Sequence, residues 1–406
     1  MPKILLFAAT TGYQTRSFAQ AAERAGLALR LATDRCHVMD DPWGDGAIAL
    51  RFDDAEVSAQ HAAEQAGNVD GIAAVGDRPA YLAALTAARL GLPFHPPDAV
   101  RTASNKFLAR ECFRKAGMPA PRFFRIPPDE HAQEAAARAP YPCVLKPLTL
   151  SGSCGVIRAD NSAEFTAACA RIRALLADEH TSEQQRFVQV EDFIPGREFA
   201  VEGIVSRGRF HPLAIFDKPD PLDGPFFEET IYVTPSREPA QVQEALIAAA
   251  ARAAAALGLT HGPVHAEMRL NGHGVWVLEA APRPIGGLCA RSLPGLEALI
   301  LRHAAGLEPG ELHLNGEASG VMMIPIPREG VYVDVRGTED ALATEGIVDA
   351  VITARPGQHL LPLPEGRSYL GFLFSRAAIP SAAEEALRQA HRRLEFDIQT
   401  ALPVIS

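Results

Sequence analysis

PVHAEMRLNGHGVWVLEAAPR, residues 263–283, has the pattern of a β-hairpin. Two runs of mostly apolar residues flank Asn271-Gly272, and Asn-Gly between such runs is a strong signal for a hairpin turn. The pattern puts Glu267 on one arm and Glu279 on the other. A carboxylate on a buried strand is costly unless it is paired or bound to a metal ion, and Mg²⁺ is typically held by one or two carboxylates together with substrate phosphates. The hairpin is therefore a candidate Mg²⁺ site, although two glutamates facing solvent on an edge hairpin would have the same pattern.

The composition is that of a soluble globular protein. The chain has 406 residues, of which 47% are hydrophobic and 22% charged, and this length suggests two or three domains. The formal net charge of −10 and the pI of about 5.7 argue against a nucleic-acid partner, which usually requires a basic surface. The apolar start, MPKILLFAA, is too short for an export signal, and no apolar run approaches the ~20 residues that cross a membrane. The six cysteines form no CxxC pair, so we expect a reduced, cytoplasmic protein with no membrane partner.

The first hundred residues alternate between strand and helix patterns. KILLFAA (residues 3–9) predicts a buried strand, and RPAYLAALTAARLG (residues 78–91) predicts a helix that ends at Gly91. This alternation predicts a parallel sheet with helices packed on it. The segment after the first strand is TTGY (residues 10–13), which is not GxGxxG, so we predict no dinucleotide site there.

The remaining chain mixes antiparallel strand patterns with a few helices. A helix with Ser104 as its N-cap is predicted for residues 104–117, and the proline-rich residues 119–128 are a candidate linker. Further strands are predicted at residues 141–147, 187–194, 198–219, 331–335 and 369–375, and further helices at residues 241–258 and, as the terminal element, 382–396.

A second candidate site is Lys146, which lies near the end of the predicted strand YPCVLKP and precedes the small-residue loop TLSGSCGV (residues 149–156). Backbone N–H groups in such a loop close over phosphates, and a lysine adds a point charge. The motif is not a Walker A sequence, because no GK[ST] follows. A surface lysine beside a turn is the common alternative for this stretch alone.

A third candidate site is VEDFIPGREFAVEG, residues 190–203. Extended backbone at residues 190–194 offers hydrogen bonds to an adenine edge, and Glu198 offers acceptors to ribose hydroxyls. Any β-hairpin with acidic residues has a similar pattern, so this stretch gains meaning only beside the other two.

Taken in order, these motifs resemble the ATP-grasp ligases. NK ending at Lys106, LKP around Lys146, SGSCG, ED-FI-PG-EF, HAE ending at Glu267 and LEAAPRPIGG (residues 278–287) have that family's order and spacing over roughly residues 100–300. The segment HAEMRL…EAAPRPIGGLCARSL is similar specifically to the L-amino acid ligases. The resemblance implies an α/β and α+β fold with an N-terminal parallel βα domain (residues 1–100), an ATP-grasp domain (101–305, with a small lid lobe at about 120–200) and a C-terminal mixed α/β domain (306–406).

The resemblance also implies an ATP site. Two lysines contact the phosphates, a small-residue loop covers them, three residues surround the adenine and one glutamate holds the ribose. In that order these are Lys106 and Lys146; Ser151, Gly152, Ser153 and Gly155; Glu191, Phe193 and Ile194; and Glu198.

For the metal and the chemistry, the resemblance implies that Glu267 and Glu279 hold one or two Mg²⁺ ions, with Mn²⁺ as an alternative. Many ATP-grasp enzymes have an Asn ligand two residues after the second Glu. Here that place is Ala281, so the number of ions stays open. Lys146 and Arg283 are the implied catalytic residues, and Arg283 would stabilise negative charge on the acyl phosphate and the tetrahedral intermediate.

Four further residues are implied at the amino acid. Glu229 in PFFEETIYVTP would hold the α-amino group, with Glu228 as its rival because neighbouring residues on a regular strand face opposite sides. His265 has the same strand face as the first metal glutamate and would line the pocket. Gly286 and Gly287 would let the backbone approach the substrate.

The implied activity is ligation of a carboxylate, from an L-amino acid, to an amine, from a second amino acid. The carboxylate would attack the γ-phosphate of ATP to give an acyl phosphate and ADP, and the amine would then displace phosphate. Two alternatives stay open: the same chemistry with another amine or a carrier protein as acceptor, and a non-catalytic ATP-binding module. We expect small-molecule partners and no nucleic acid, and we leave homodimer formation open.

Overall fold

The computed structural model describes residues 1–9, 15–34, 46–178, 186–308, 310, 312 and 316–400. Its strands form four sheets. The TTGY segment and Cys36 lie outside the described residues, and the other five cysteines are free thiols. No helix in the described part of the chain is both long and apolar enough to cross a lipid bilayer.

The first sheet is parallel and covered by helices, as the alternating pattern predicts. Its strands are β1 (Lys3–Ala8), β2 (Ala28–Thr33), β3 (Ile48–Ala49) and β4 (Gly71–Val75), in the order β3-β2-β1-β4, and its helices are α1 (Thr15–Arg24), α2 (Ala55–Ala66) and α3 (Asp77–Leu90). The pairs between these strands are parallel. Side chains on both faces of β1 are buried, which explains its nearly uninterrupted apolar sequence.

Two helices, α4 (Pro97–Ala103) and α5 (Lys106–Lys115), lead to a second, antiparallel sheet. This sheet contains β5 (Phe123–Ile126), β6 (Cys143–Pro147), β7 (Ile157–Ala159) and β8 (Val188–Asp192), in the order β5-β8-β6-β7, and it packs with α6 (Ala132–Ala137) and α7 (Ser162–Asp178). The proline-rich segment is thus not a free linker, because it contributes β5.

The predicted N-cap of α5 is wrong by one residue. The side chain of Asn105 accepts hydrogen bonds from the N–H groups of Phe107 and Leu108, so Asn105 caps this helix. Ser104 instead ends α4, where its own N–H bonds back to the carbonyl oxygen of Val100. The N–H of Lys106, the first residue of α5, donates to the carbonyl oxygen of Leu148, just after β6, at 2.9 Å.

The rest of the chain builds the largest sheet. The elements in this part of the chain are β9 (Arg197–Ser206), β10 (Arg209–Lys218), β11 (Ile231–Thr234), α8 (Ala240–Leu257), β12 (Gly262–Asn271), β13 (Gly274–Ala281), α9 (Leu296–Ala304), β14 (Ala318–Ile324), β15 (Gly330–Arg336), α10 (Thr338–Leu342), β16 (Ile347–Ile352), β17 (His359–Leu360), β18 (Gly371–Ala377), α11 (Pro380–His391) and β19 (Glu395–Gln399). Eight of the strands form an antiparallel sheet in the order β13-β12-β9-β10-β11-β14-β18-β16. The other three form a small sheet, β17-β15-β19. The predicted terminal helix therefore ends at His391, because the residues after it pair with β15.

The first sheet packs directly against the elements that follow the hairpin. One buried cluster joins Ile4 of β1 to Ile285 and to Phe372 of β18. The approach is close at the start of β4, where a Cβ at Gly71 would lie 2.0 Å from the carbonyl oxygen of Ala304. This packing places the N-terminus of α3 beside the segment that follows β13.

Candidate active site

The predicted hairpin is confirmed. The strands β12 and β13 pair in antiparallel register, and Glu267 lies directly opposite Glu279. Side chains of directly opposite residues share one sheet face, with Cβ atoms about 5 Å apart. Both glutamates are half-buried. A β-bulge follows at once, since Met268 pairs with Val277 and leaves one extra residue on β13.

A buried lysine that sequence analysis did not identify lies beside Glu267. Lys218, the last residue of β10, donates hydrogen bonds to Glu198 Oε1 at 2.9 Å, to Glu267 Oε1 at 3.1 Å and to Glu229. Its side chain is 2% exposed, and its Nζ lies 4.8 Å from the centre of the Tyr232 ring. Burial alone would lower the pKa of Lys218, but the three carboxylates raise it well above its usual value. The ammonium group therefore stays charged.

The structure separates Glu229 from its rival Glu228. Both residues precede β11 rather than lying on it, so the strand alternation expected for this segment does not apply. Glu229 joins the Lys218 cluster, whereas Glu228 lies against the backbone of Ile326. Burial and then the nearby charge of Glu267 raise the pKa of Glu229 to about 7, against the opposing effect of Lys218.

His265 lies on the same strand face as Glu267, as the alternation predicts. Its Nδ1 is hydrogen-bonded to Glu202 on the adjacent β9, and its Nε2 lies 3.2 Å from Glu267 Oε1. Burial alone would lower the pKa of His265, but the carboxylates of Glu202 and Glu267 raise it to about 9. His265 thus presents positive charge to Glu267, and its contact with a substrate stays a prediction.

The predicted phosphate lysine, Lys146, lies on β6 and is held by Glu191 of β8. Glu191 is 2% exposed and also accepts hydrogen bonds from Arg110, at 2.9 Å from Nε and 3.3 Å from Nη2. Burial alone would raise the pKa of Glu191, but Arg110 and Lys146 hold it well below its usual range. Because Arg110 and Lys146 already bind the Glu191 carboxylate, a contact between Glu191 and adenine would be made by the Glu191 backbone.

The other predicted adenine and ribose residues lie around one arginine. Arg269 donates from Nη1 to the carbonyl oxygen of Ile194 at 2.7 Å and from Nε to Glu198 Oε2 at 2.9 Å. The ring of Phe193 is half-buried, with the guanidinium of Arg269 5.2 Å from its centre and that of Arg158 4.3 Å from it. Glu198 is therefore already paired with two cations, and its binding of ribose stays a prediction.

One cleft brings together residues from distant segments. Its lining includes Asp77, Lys106, Ser151 and Glu279. Lys106, the first residue of α5, donates from Nζ to the carbonyl oxygen of Leu150. A predicted phosphate lysine, the start of the small-residue loop and a predicted metal ligand thus face the same space.

The small-residue loop has the backbone conformation of a tight turn. Gly152, Ser153 and Gly155 have φ angles of +64°, +55° and +69°, in the left-handed region that favours glycine. Left-handed residues within turns orient successive N–H groups toward one side, which is the arrangement of anion-binding loops. The loop is also anchored to the C-terminal part of the chain, because Gly155 N–H donates to the carbonyl oxygen of Pro364 at 2.8 Å.

Arg283 follows β13 and is anchored by Asp77, the first residue of α3. Its Nε donates to Asp77 Oδ1 at 2.8 Å. Burial alone would raise the pKa of Asp77, but the charge of Arg283 lowers it, so the pair is ionised. Nearby Gly286 leaves open space, since a Cβ there would meet only the Arg283 guanidinium, at 4.0 Å. Gly287 has a φ angle of +60° and lies against Phe372.

Parts of the chain are similar to known proteins. Residues 139–292 match a family model described as an ATP-grasp domain, and residues 322–399 match L-amino acid ligase C-terminal domain 2. Carnosine synthase 1 from Gallus gallus is 32% identical over 246 residues, which cover 56% of this chain and 26% of that protein. Alanine–anticapsin ligase from Bacillus amyloliquefaciens is 27% identical over 215 residues, which cover 49% of this chain and 45% of that protein. The chain thus spans less than half the length of either relative.

The fold is also present in a solved structure. The L-amino acid ligase from Bacillus licheniformis matches with a TM-score of 0.84 over 98% of this chain and 99% of that one, at 24% sequence identity. This likeness confirms the predicted ATP-grasp fold, with its parallel N-terminal sheet and antiparallel sheets. The two family models thus match in order along one chain with this fold, residues 139–292 with an ATP-grasp domain and residues 322–399 with C-terminal domain 2 of the L-amino acid ligases.

Proposed function

We propose that this protein is an ATP-dependent ligase. It joins the carboxylate of one L-amino acid to the amine of a second through an acyl phosphate, and it releases ADP and phosphate. The observation that carries the proposal is the pair of Glu267 and Glu279 on one sheet face, with Lys106 lining the same cleft as Glu279. The similarity to alanine–anticapsin ligase, whose name describes ligation of an amino acid, supports this substrate class.

The two carboxylates fit Mg²⁺ in chemistry and in placement. Mg²⁺ takes oxygen ligands, and in nucleotide sites one or two carboxylates usually share it with phosphates. Glu267 and Glu279 are half-buried cross-strand neighbours on one sheet face, so a single cation can reach both carboxylates. Mg²⁺ bound between them would neutralise charge on the phosphates of ATP.

The ATP-binding roles follow the same arrangement. Lys146, held in place by Glu191, and Lys106 contribute charge to the phosphates. The loop of Ser151, Gly152, Ser153 and Gly155 closes over them with its N–H groups. The backbone of Glu191 with Phe193 and Ile194 surrounds the adenine, and Glu198 holds the ribose.

The chain's own residues act by positioning and by neutralising charge. Arg283, held by Asp77, presents its guanidinium to the negative oxygens of the acyl phosphate, and a donor fixed beforehand requires no reorganisation during the reaction. Glu229 accepts the α-ammonium of the amino acid that supplies the carboxylate, and His265 lines the pocket beside it. The backbone at Gly286 and Gly287 approaches the substrate, and the closed loop keeps out water that would hydrolyse the acyl phosphate.

The products test this function. With ATP, Mg²⁺ and L-amino acids, we expect ADP, orthophosphate and a dipeptide-like product in equal amounts, because the lysines, the loop and the paired carboxylates all converge on the terminal phosphates. Chromatography of the nucleotides and mass spectrometry of pairwise amino acid mixtures give the ratio. AMP as the main product would overturn the proposal. ADP release without a condensed product from any amino acid pair would contradict the amino acid acceptor, and a panel of other amines would then identify it.

Glu229→Ala should raise the KM for the amino acid that supplies the carboxylate by roughly tenfold or more, because a charge-assisted hydrogen bond to its ammonium is lost. The KM for ATP should stay nearly unchanged. Steady-state kinetics with each substrate varied in turn measure both values. Glu228→Ala is the matched control, since Glu228 lies against the backbone of Ile326. An effect of Glu228→Ala in place of Glu229→Ala would contradict the assignment.

A further inference from the structure

Three carboxylates around Lys218 have the spacing of ligands to one cation. Glu198, Glu229 and Glu267 each present an oxygen to a common point, and these oxygens lie within 4.8 Å of one another. The Nζ of Lys218 lies at that point, 2.9 Å from Glu198 Oε1 and 3.1 Å from Glu267 Oε1. A lysine ammonium has three N–H donors, and here each has its own carboxylate acceptor.

The ammonium group is a permanent part of this cluster. Lys218 is the last residue of β10, and its side chain is 2% exposed. Its Nζ lies over the Tyr232 ring. Two of the carboxylates have a second partner, because Arg269 binds Glu198 and His265 contacts Glu267. The three hydrogen bonds offset the cost of burying the charged ammonium group, so Lys218 stays in this position.

We propose that Lys218 is a built-in cation that selects when and where a divalent ion binds. Lys218 occupies the centre of the three carboxylates and so excludes a metal ion from Glu198 and Glu229. A metal ion bound there would lie next to the Lys218 ammonium, and two adjacent cations repel strongly in a buried site. Lys218 also holds the Glu267 carboxylate in place, so that the ion is left the side of Glu267 that faces Glu279. The ion then lacks ligands until phosphate oxygens supply them, so metal binding depends on nucleotide.

This inference rests on the proposed function in one respect, the Mg²⁺ role of Glu267 and Glu279. Lys218 acts through its neighbours and is a positioning residue. The test therefore uses Mn²⁺ alone, with neither nucleotide nor amino acid present. Its result does not depend on whether the protein ligates amino acids.

The expected result is a gain of metal binding on loss of the lysine. Electron paramagnetic resonance of free Mn²⁺ should show weak binding to the wild-type protein and binding roughly tenfold tighter, or more, to Lys218→Met. Added Mn²⁺ should also raise the Tm of Lys218→Met by more than that of the wild type. Lys115→Met is the matched control, because it removes the same charge from an exposed position at the end of α5.

A second pair of variants covers the case in which Lys218→Met fails to fold. Lys218→Met combined with Glu229→Gln removes one positive and one negative charge from the cluster, and it should bind Mn²⁺ more tightly than Glu229→Gln alone. Equal Mn²⁺ affinity within each pair, or tight nucleotide-free binding by the wild type, would overturn the role of Lys218. Failure to form ADP and a dipeptide, with the gain of Mn²⁺ binding present, would instead overturn only the proposed function.

Discussion

Glu279→Gln and Glu267→Gln should each reduce ligation by at least ~10³-fold, the largest effects that we expect. Each substitution keeps the size of the side chain but removes one of the two charges that face each other across the hairpin. A divalent ion would retain one carboxylate, and charge on the terminal phosphates would be poorly neutralised. Steady-state ADP release and nucleotide-dependent Mn²⁺ binding should fall together, while weak binding of ATP persists.

The two substitutions differ in what else they disturb. Glu267 also accepts a hydrogen bond from Lys218 and contacts His265, so its loss changes the buried cluster as well. Glu279→Gln is the more selective test because it leaves those contacts in place. Glu244→Gln, at an exposed position on α8, is the matched control and should behave like the wild type. Near-normal turnover of either site variant would show that the residue is not a metal ligand.

Arg283→Ala should lower kcat by roughly 10²–10³-fold with little change in the KM for ATP. The reason is that its proposed partner is charge that develops on the acyl phosphate and the tetrahedral intermediate, after ATP has bound. The kcat of Arg283→Lys should lie between those of Arg283→Ala and the wild type, because lysine keeps the charge but lacks the planar guanidinium group that Asp77 binds. Initial rates at saturating and at limiting ATP separate kcat from KM.

Comparison with other variants makes the arginine result specific. Asp77→Asn should reduce kcat less than Arg283→Ala, because the guanidinium remains but loses its anchor. Arg24→Ala, at an exposed position on α1, should leave both constants unchanged. A variant of Arg283 with weaker ATP binding and intact kcat would place this side chain at the nucleotide in the ground state.

Local sequence patterns predicted most of the elements that carry the candidate site. The Asn-Gly turn and the alternation around it placed Glu267 and Glu279 on facing arms, and the strand register confirms this. The N-cap of α5 was wrong because Ser104 and Asn105 are both favourable capping residues, and only the backbone path selects between them. The alternation argument also failed at Glu229, because that segment is not a strand.

Local sequence patterns did not identify the buried residues that pair with the site residues. Lys218, Arg110 and Asp77 lie 49, 81 and 206 residues from the site residues that they contact. Each has an ordinary local context, a strand end or a helix residue that is equally common on a protein surface. Their significance comes from burial, which makes an unpaired charge costly and so requires a partner of opposite sign.

Local sequence thus specified the hairpin with its two glutamates, the small-residue loop and the order of the motifs, because turns, alternation and caps depend on neighbouring residues. Three-dimensional packing selected which charges meet. The strand order β12-β9-β10 brings Lys218 within reach of Glu267 across an intervening strand, and the contact of α3 with the segment after β13 brings Asp77 to Arg283. Pairing between distant strands is determined by burial of whole faces, so the chain must fold before these partners can be identified.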